Sequence, residues 1–490
     1  MMAADGVKAR RPRIAIAGAS GFVGRALRER VQDRCDIIAL TRSESGISDN
    51  RKDDDGVLWK RCDLFDPDDI TRSLQDVDLL IYLVHSMSPQ SRLTQARFDD
   101  LDLLLADNVR IATERAGVAN IAYLGGLGVA DGSVQRSRHL DSRYEVGQVL
   151  ADGPTRLTEL RAGLVIGAGG SSFRMLIRLI RRLPFMALPR WTKTPTQPIS
   201  VNDIIRAFEL VVDDPDDWVG AYDLGIDEEM NYGEMIHRTA RLIPRRIRSI
   251  PVPISSPRVS TLWIMLFSGE PYSLVSPLIA SLKVPTVAAP NRLLDELKEG
   301  MTGFDVAIRQ ALDHAGSDQD PRRSTSRQDR SLISQRRLVR SVQRMTAPDD
   351  WAMSRVCTSY WKWFHSWSWM LFRTRLETDE SGATRYVSIQ LLGFITLLSL
   401  RRDDDRCTEE SEMLSIVGGL LVRGGPGSKG EFEFRRVKRS GAVLTILQKF
   451  PPSLPWYIYL ASQALAHKFV MAAFRGWLKR KRSGPRKEAG

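Results

Sequence analysis

The stretch RIAIAGASGFVG, Arg13–Gly24, decides the fold. Its first five residues include two isoleucines and two alanines, the composition of a short buried strand. Glycines then recur at three-residue spacing, Gly18, Gly21 and Gly24, and FVGRALRERV opens a helix. The first glycine permits a tight turn. The second lets backbone come close to a diphosphate, and the third lets helix and strand pack closely. The helix start offers unpaired N–H groups and a partial positive charge to an anion. The spacing therefore predicts a cradle for the pyrophosphate of a dinucleotide, with Ser20, Phe22 and Val23 in the same loop.

The strand–helix alternation continues. DIIAL (36–40), DVDLLIYLV (76–84) and VANIAYLGG (118–126) read as strands, with a helical stretch from about Leu93 to Arg115 before the last. TRLTELRAGLVIG (155–167) extends the series, and SSFRMLIRLIRRLP (171–184) is a helix ended by Pro184. Such alternation demands a parallel sheet covered on both faces. Residues 13–312 are thus expected to form an α/β, Rossmann-like domain after a flexible start, 1–12. A small substrate lobe at about 184–300 is marked by frequent prolines. Residues 313–347 are rich in Arg and Ser and read as a basic linker. Strand-like runs at 385–392, 394–400, 409–417, 430–437 and 442–450, then a helix at about 454–480, predict a separate α+β domain over 348–482. A basic tail, 483–490, closes the chain.

The net charge of +12 sits mostly outside these domains. Residues 316–347 hold eight Arg against three Asp, and 478–490 hold six Lys and Arg against one Glu, which leaves +2 for the rest. No nucleic-acid module accompanies the charge, so nucleic acid is not expected as a partner. The alternative to solvated segments is peripheral membrane contact through the linker and the C-terminal helix. That helix has Trp456, Tyr457 and Tyr459 at its start and Trp477 near its end, while Gln463, His467 and Lys468 in its middle oppose spanning. It reads as a core helix or a membrane-surface helix. The four cysteines (Cys35, Cys62, Cys357, Cys407) form no CxxC, and the histidines show no metal-ligand spacing, so no metal site is expected. MMAADGVKARRPRIAIAG runs straight into a strand without a signal peptide's apolar region. A cytoplasmic protein is expected, with membrane association as the alternative.

The end of the second strand bears on cofactor choice. IIALTRSES places Arg42 there, and a guanidinium suits a ribose 2′-phosphate, which favours NADP over NAD; Glu44 nearby keeps NAD open. After the third strand, RCDLFDPDDI supplies Asp63 for the adenine amino group and Leu64 for its ring.

Taken together, these residues resemble the short-chain dehydrogenase/reductase superfamily, and within it the atypical, NmrA-like branch of NAD(P)H-binding proteins. The matching pieces are GASGFVG, YLVHSM, YLGGLG, HLDSRYEVG, LRAGLVIGAGGSSF, PRWTKTPTQPISVNDI and IPVPISSP, in order over about 13–300. They are similar to a bacterial subfamily with an appended C-terminal domain, and 350–480 resemble a START-like, helix-grip domain. The resemblance implies that Leu83, Val84 and His85 border the ribose and nicotinamide. It also implies that the reductase Ser, Tyr and Lys stand here as Gly126, His139 and Arg143; Tyr144 is one residue off register. His139 is then the candidate proton donor and Arg143 the candidate ribose contact. The pocket's far wall is expected from 167–203, including Arg190, Trp191 and Gln197. Two functions follow as expectations. One is an NADP(H)-dependent oxidoreductase acting on an apolar, quinone- or lipid-like small molecule. The other is a non-catalytic NAD(P)H-binding redox sensor or membrane-complex assembly factor.

Overall fold

The computed structural model describes residues 10–42, 53, 56–86, 94–128, 136–183, 185–243, 248–252, 256–315, 338–368, 370–423, 430–455, 458–459 and 462–482. Expectations for Glu44, most of the linker (316–337), Trp456, Tyr457 and the tail lie outside the described residues. Two compact units emerge: Met1–Ser88 with Leu105–Thr325, and Pro89–Leu104 with Ser326–Gly490.

The first unit is built on seven parallel strands: β1 (Arg13–Ala17), β2 (Asp36–Thr41), β3 (Leu58–Arg61), β4 (Leu79–Tyr82), β5 (Asn120–Gly126), β6 (Arg156–Ala162) and β7 (Gly220–Leu224). Their order is β7-β6-β5-β4-β1-β2-β3. Ile14, Ala15 and Ile16 are fully buried because helices cover both faces, as a parallel sheet requires. The helices are α1 (Phe22–Val31), α2 (Pro67–Ser73), α3 (Phe98–Ala116), α4 (Arg138–Leu150), α5 (Ser171–Arg182), α6 (Val201–Asp213), α7 (Tyr232–Leu242), α8 (Pro257–Ser268), α9 (Tyr272–Ser281), α10 (Arg292–Lys298) and α11 (Phe304–Ala315). Leu27 of α1, Phe208 of α6 and Leu297 of α10 enter one core with the strands. Each such side chain contributes about 1.5–3 kcal/mol through burial.

The lobe is interleaved with the sheet rather than confined to one run, as the sequence reading has it. Within 184–300, α6, β7 and α10 return to the parallel sheet, whereas α5 and α11, outside that run, join the lobe core with α7, α8 and α9. GAYDL of β7 is too short and too polar to announce a strand, yet it pairs in register with β6, Leu224 opposite Ala162.

In the described residues of the second unit, an antiparallel sheet is joined by the helices α12 (Met353–Ser368) and α13 (Gln463–Arg482). Its strands are β8 (Val339–Met345), β9 (Phe372–Thr378), β10 (Thr384–Leu391), β11 (Ile395–Arg402), β12 (Ser411–Gly418), β13 (Gly430–Val437) and β14 (Ala442–Phe450). They lie in the order β9-β10-β11-β12-β13-β14-β8. Thr94–Gln95 add a short parallel edge to β8, so the helix expected from Leu93 begins only at Phe98. β8 itself falls inside the expected linker. The last helix is described over Gln463–Arg482, within the expected span at its start. Alternation drives the packing: Phe432 and Phe434 enter the core, while Glu433 on the opposite face holds the Arg435 guanidinium at 2.6 Å. The Trp-rich run of α12 is core, with Tyr360 5.5 Å from Phe434 and 5.0 Å from Phe474 of α13 between ring centroids. Among the described residues no helix is long and apolar enough to cross a membrane.

Candidate nucleotide and substrate site

The sheet order reverses between β1 and β4, and in such sheets ligands bind outside the carboxyl ends of the strands at that point. The glycine turn lies there, directly after β1. Gly18 has φ +95°, and a Cβ there would lie 3.2 Å from Leu83 at the end of β4. A Cβ on Gly24 would meet the Gly18 carbonyl, so only glycine lets α1 start this close to β1. Gly21 is the N-cap of α1, with no side-chain cap and no acid in the first turn. The N-terminus is therefore clear for a diphosphate, and the cradle fits a dinucleotide. Ser20 and Gly21 are exposed, while Val23 packs on the core. The Phe22 ring leans on the β6–α5 connection, where a Cβ on Gly167 or Gly169 would strike it. Those glycines thus join the cradle to the loop before α5.

Arg42 follows β2 directly and is exposed. Asp63 is engaged in its own turn: its carboxylate accepts the Phe65 N–H at 3.1 Å, and its N–H donates to Asp69 at 2.8 Å. Leu64 is buried, and its carbonyl accepts from Asn108.

Helix α4 carries His139 and Arg143. Ser137 caps it, accepting the Leu140 N–H at 3.3 Å. His139 and Arg143, four residues apart, share one face. The Arg143 guanidinium is buried and donates to the carbonyls of Val84, at 3.4 Å, and Leu124, the residues at the ends of β4 and β5. It lies 4.7 Å from the Tyr123 ring centroid. A Cβ on Gly126 would approach Arg143 Cβ to 3.2 Å, so the glycine makes room for the arginine stem. Gly125 and Gly147 have a different cause: both face the buried Glu159 carboxylate, which Arg161 neutralises at 2.7 Å. Tyr144 turns away and stacks under Arg136 at 4.1 Å.

The sequence reading does not place His85 and His139 together; the structure does. Their ring centroids are 5.0 Å apart, His85 just past β4 and His139 in the first turn of α4. Signals existed in YLVHSM and HLDSR, but pairing them required the β4–β5–α4 geometry.

A cavity of about 160 Å³ begins at Gly126, Leu127 and His139 and runs into the lobe. Leu179, Met235, Ile264 and Leu278, from α5, α7, α8 and α9, make its walls apolar. Most lining polar groups bond to the protein: Trp191 Nε1 donates to Ser260 at 3.1 Å, Ser281 and Ser137 hydroxyls meet at 2.6 Å, and Thr286 meets Thr196 at 2.8 Å. Burial pushes the Tyr232 phenol up, so this cavity residue stays protonated. Of the wall expected from 167–203, Trp191 lines the cavity. Arg190 is exposed, and Gln197 accepts the Ala288 N–H at 2.7 Å. The α7–α9 contributions were not read from the sequence, because their apolar stripes are indistinguishable from ordinary core faces.

Residues 18–162 match the family model described as NAD(P)H-binding. This segment is a nicotinamide-dinucleotide-binding domain. A curated relative, Auxiliary protein GraX of Staphylococcus aureus (strain NCTC 8325 / PS 47), is 24% identical over 127 residues, 26% of this chain. The chain spans 40% of that relative's length. Among solved structures, a nucleoside-diphosphate-sugar epimerase from Staphylococcus aureus superposes with TM-score 0.47 at 14% identity, covering 61% of this chain and 99% of that one. The triphenylmethane reductase of Citrobacter sp. complexed with NADP(H) gives 0.47 at 17% identity, over 61% of this chain and 100% of the other. The UDP-glucose 4-epimerase of Thermus thermophilus complexed with NAD gives 0.44 at 18% identity, over 62% and 98%.

Proposed function

We propose that the first unit uses NADPH to reduce an apolar small molecule held in the lobe cavity. The observation that carries this reading is the continuity of an apolar cavity with Gly126 and His139, beside the strand ends that border the glycine cradle. NADPH, when bound, supplies a hydride. Gly18, Gly21 and Gly24 and the start of α1 hold its diphosphate, and Arg42 selects the 2′-phosphate. The walls from α5, α7, α8 and α9 exclude water and select a quinone- or lipid-like substrate by shape and apolarity. A ring N–H of His139 gives a proton to the substrate oxygen as that oxygen gains charge, and the close His85 ring fixes its position. Arg143 acts through its position, keeping the ends of β4 and β5 and the ribose side of the site in register.

Leu179→Trp tests the reading, because the larger ring occupies the cavity and leaves the cradle intact. NADPH should bind unchanged, while NADPH oxidation with a panel of apolar quinones and aldehydes should fall at least tenfold. Equal rates in both proteins would remove the cavity from the reaction.

A second reading, a cofactor-dependent sensor without turnover, is favoured by one observation: the Arg143 guanidinium is already bonded to two strand-end carbonyls, and Gly126 offers no hydroxyl. It predicts tight NADPH binding and no oxidation with any substrate.

A further inference from the structure

Antiparallel topology sorts the loops of the second unit to two ends. The β9–β10 and β11–β12 connections lie at one end; the start of β9, the β10–β11 turn and the residues after β12 lie at the other. The first end carries acids: Asp379 and Glu380 in one connection, Asp403, Asp404 and Asp405 in the next. The described residues at the start of β9, in the β10–β11 turn and directly after β12 include none. No Asp or Glu occurs in 362–376, 386–402, 413–430 or 442–487.

Large apolar side chains stand at this acid-free end. Met370, Leu371, Leu392, Phe394, Leu420 and Phe469 are each 58–75% exposed. They come from four segments that the structure ties together. Leu392 N–H donates to Leu371 O at 2.9 Å, Leu420 N–H donates to Thr396 O at 3.0 Å, and the Phe469 ring lies 5.9 Å from Trp367. The β10–β11 turn is informative in itself. Leu392 has φ +51° and Gly393 φ +86°, a two-residue hairpin turn whose first position suits Asn, Asp or Gly. A leucine there is strained and, being exposed, recovers nothing by burial in the folded chain. Basic groups surround the tips: the Arg373 stem packs on Gly393, and Arg423 and Lys468 are exposed beside Leu420 and Phe469 in sequence.

We infer that this end of the second unit docks on an anionic lipid surface, its apolar tips entering the headgroup boundary and its basic collar facing lipid phosphates. Charge decides between occupants. A second copy of the same face would set cation against cation, whereas an anionic bilayer complements both the collar and the tips. The expected membrane contact thus moves from the linker to the loop tips and the start of α13.

The test is co-sedimentation of the full chain with vesicles of phosphatidylcholine alone or containing about a quarter phosphatidylglycerol. The protein should pellet with the anionic vesicles only and be released by high salt. Phe394→Ser/Leu420→Ser should lower vesicle affinity about tenfold or more with an unchanged thermal melt. Arg373→Glu/Lys468→Glu, which leaves the tips intact, should also weaken it. The inference is overturned if the parent does not pellet with anionic vesicles, or if both double variants pellet equally well. It is also overturned if Phe394→Ser/Leu420→Ser abolishes a dimer seen by sedimentation velocity while vesicle binding persists, which would make the face an interface between copies.

Discussion

A side chain at Gly126 would sit 3.2 Å from Cβ and 3.3 Å from Cγ of Arg143. Positions 126 and 143 therefore share one space: any side chain at 126 must meet the stem of residue 143. Gly126→Ser should lower stability by about 1 kcal/mol through overpacking. Gly126→Ser should cost less in an Arg143→Ala background, which lacks the Cγ that the serine meets, giving a coupling energy of at least about 0.5 kcal/mol in a double-mutant cycle of urea melts. Additive effects would show that the two positions are independent.

Arg143 bridges two strand ends from a buried position. Arg143→Met should cost about 2–3 kcal/mol, since two carbonyls lose a charged donor. It should also weaken NADPH binding as the ends of β4 and β5 drift apart. Titration by NADPH fluorescence, beside a melt, separates the two effects.

Arg42 follows β2 and is exposed, and in the proposed reaction it meets the 2′-phosphate of NADPH. Arg42→Ala should reduce NADPH affinity by about 1.5–3 kcal/mol and leave NADH affinity nearly unchanged, because NADH lacks the phosphate that the guanidinium meets. Parallel titrations check this. NADH binding equal to that of NADPH in the parent would assign the site to NAD.

Much of the first unit is legible in RIAIAGASGFVG and in the strand–helix alternation, because a doubly covered parallel sheet leaves continuous apolar runs. β7 escaped notice because GAYDL is an edge strand, half-exposed and polar. β8 was hidden by its neighbours: VRSVQRM continues the arginine-rich composition of the linker, yet its Val339, Val342 and Met345 are buried. The cofactor loop was readable since glycine spacing has a steric cause. The His85–His139 contact and the cavity were not, since both depend on side chains brought together from elements 50 or more residues apart in sequence.

Burial pushes the His467 imidazole in α13 down to about 4. In the unfolded chain it titrates near 6.5. Between these values the unfolded state binds the extra proton, so stability is full above about 6.5 and falls as pH drops towards 4. Urea midpoints of the second unit's aromatic fluorescence should decline over this window. In His467→Leu that part of the decline should vanish; an unchanged pH profile would mean that the ring is solvated in the folded protein.

In the proposed reaction His139 donates a proton to a substrate reduced by NADPH at the mouth of the cavity. The most direct measurement is the rate of NADPH oxidation with a responsive quinone or aldehyde, in the parent and in His139→Phe, with NADPH affinity measured on both. His139→Phe should lose about 10²–10⁴-fold in kcat while NADPH binding stays within about twofold. Turnover that survives in His139→Phe would contradict the donor role.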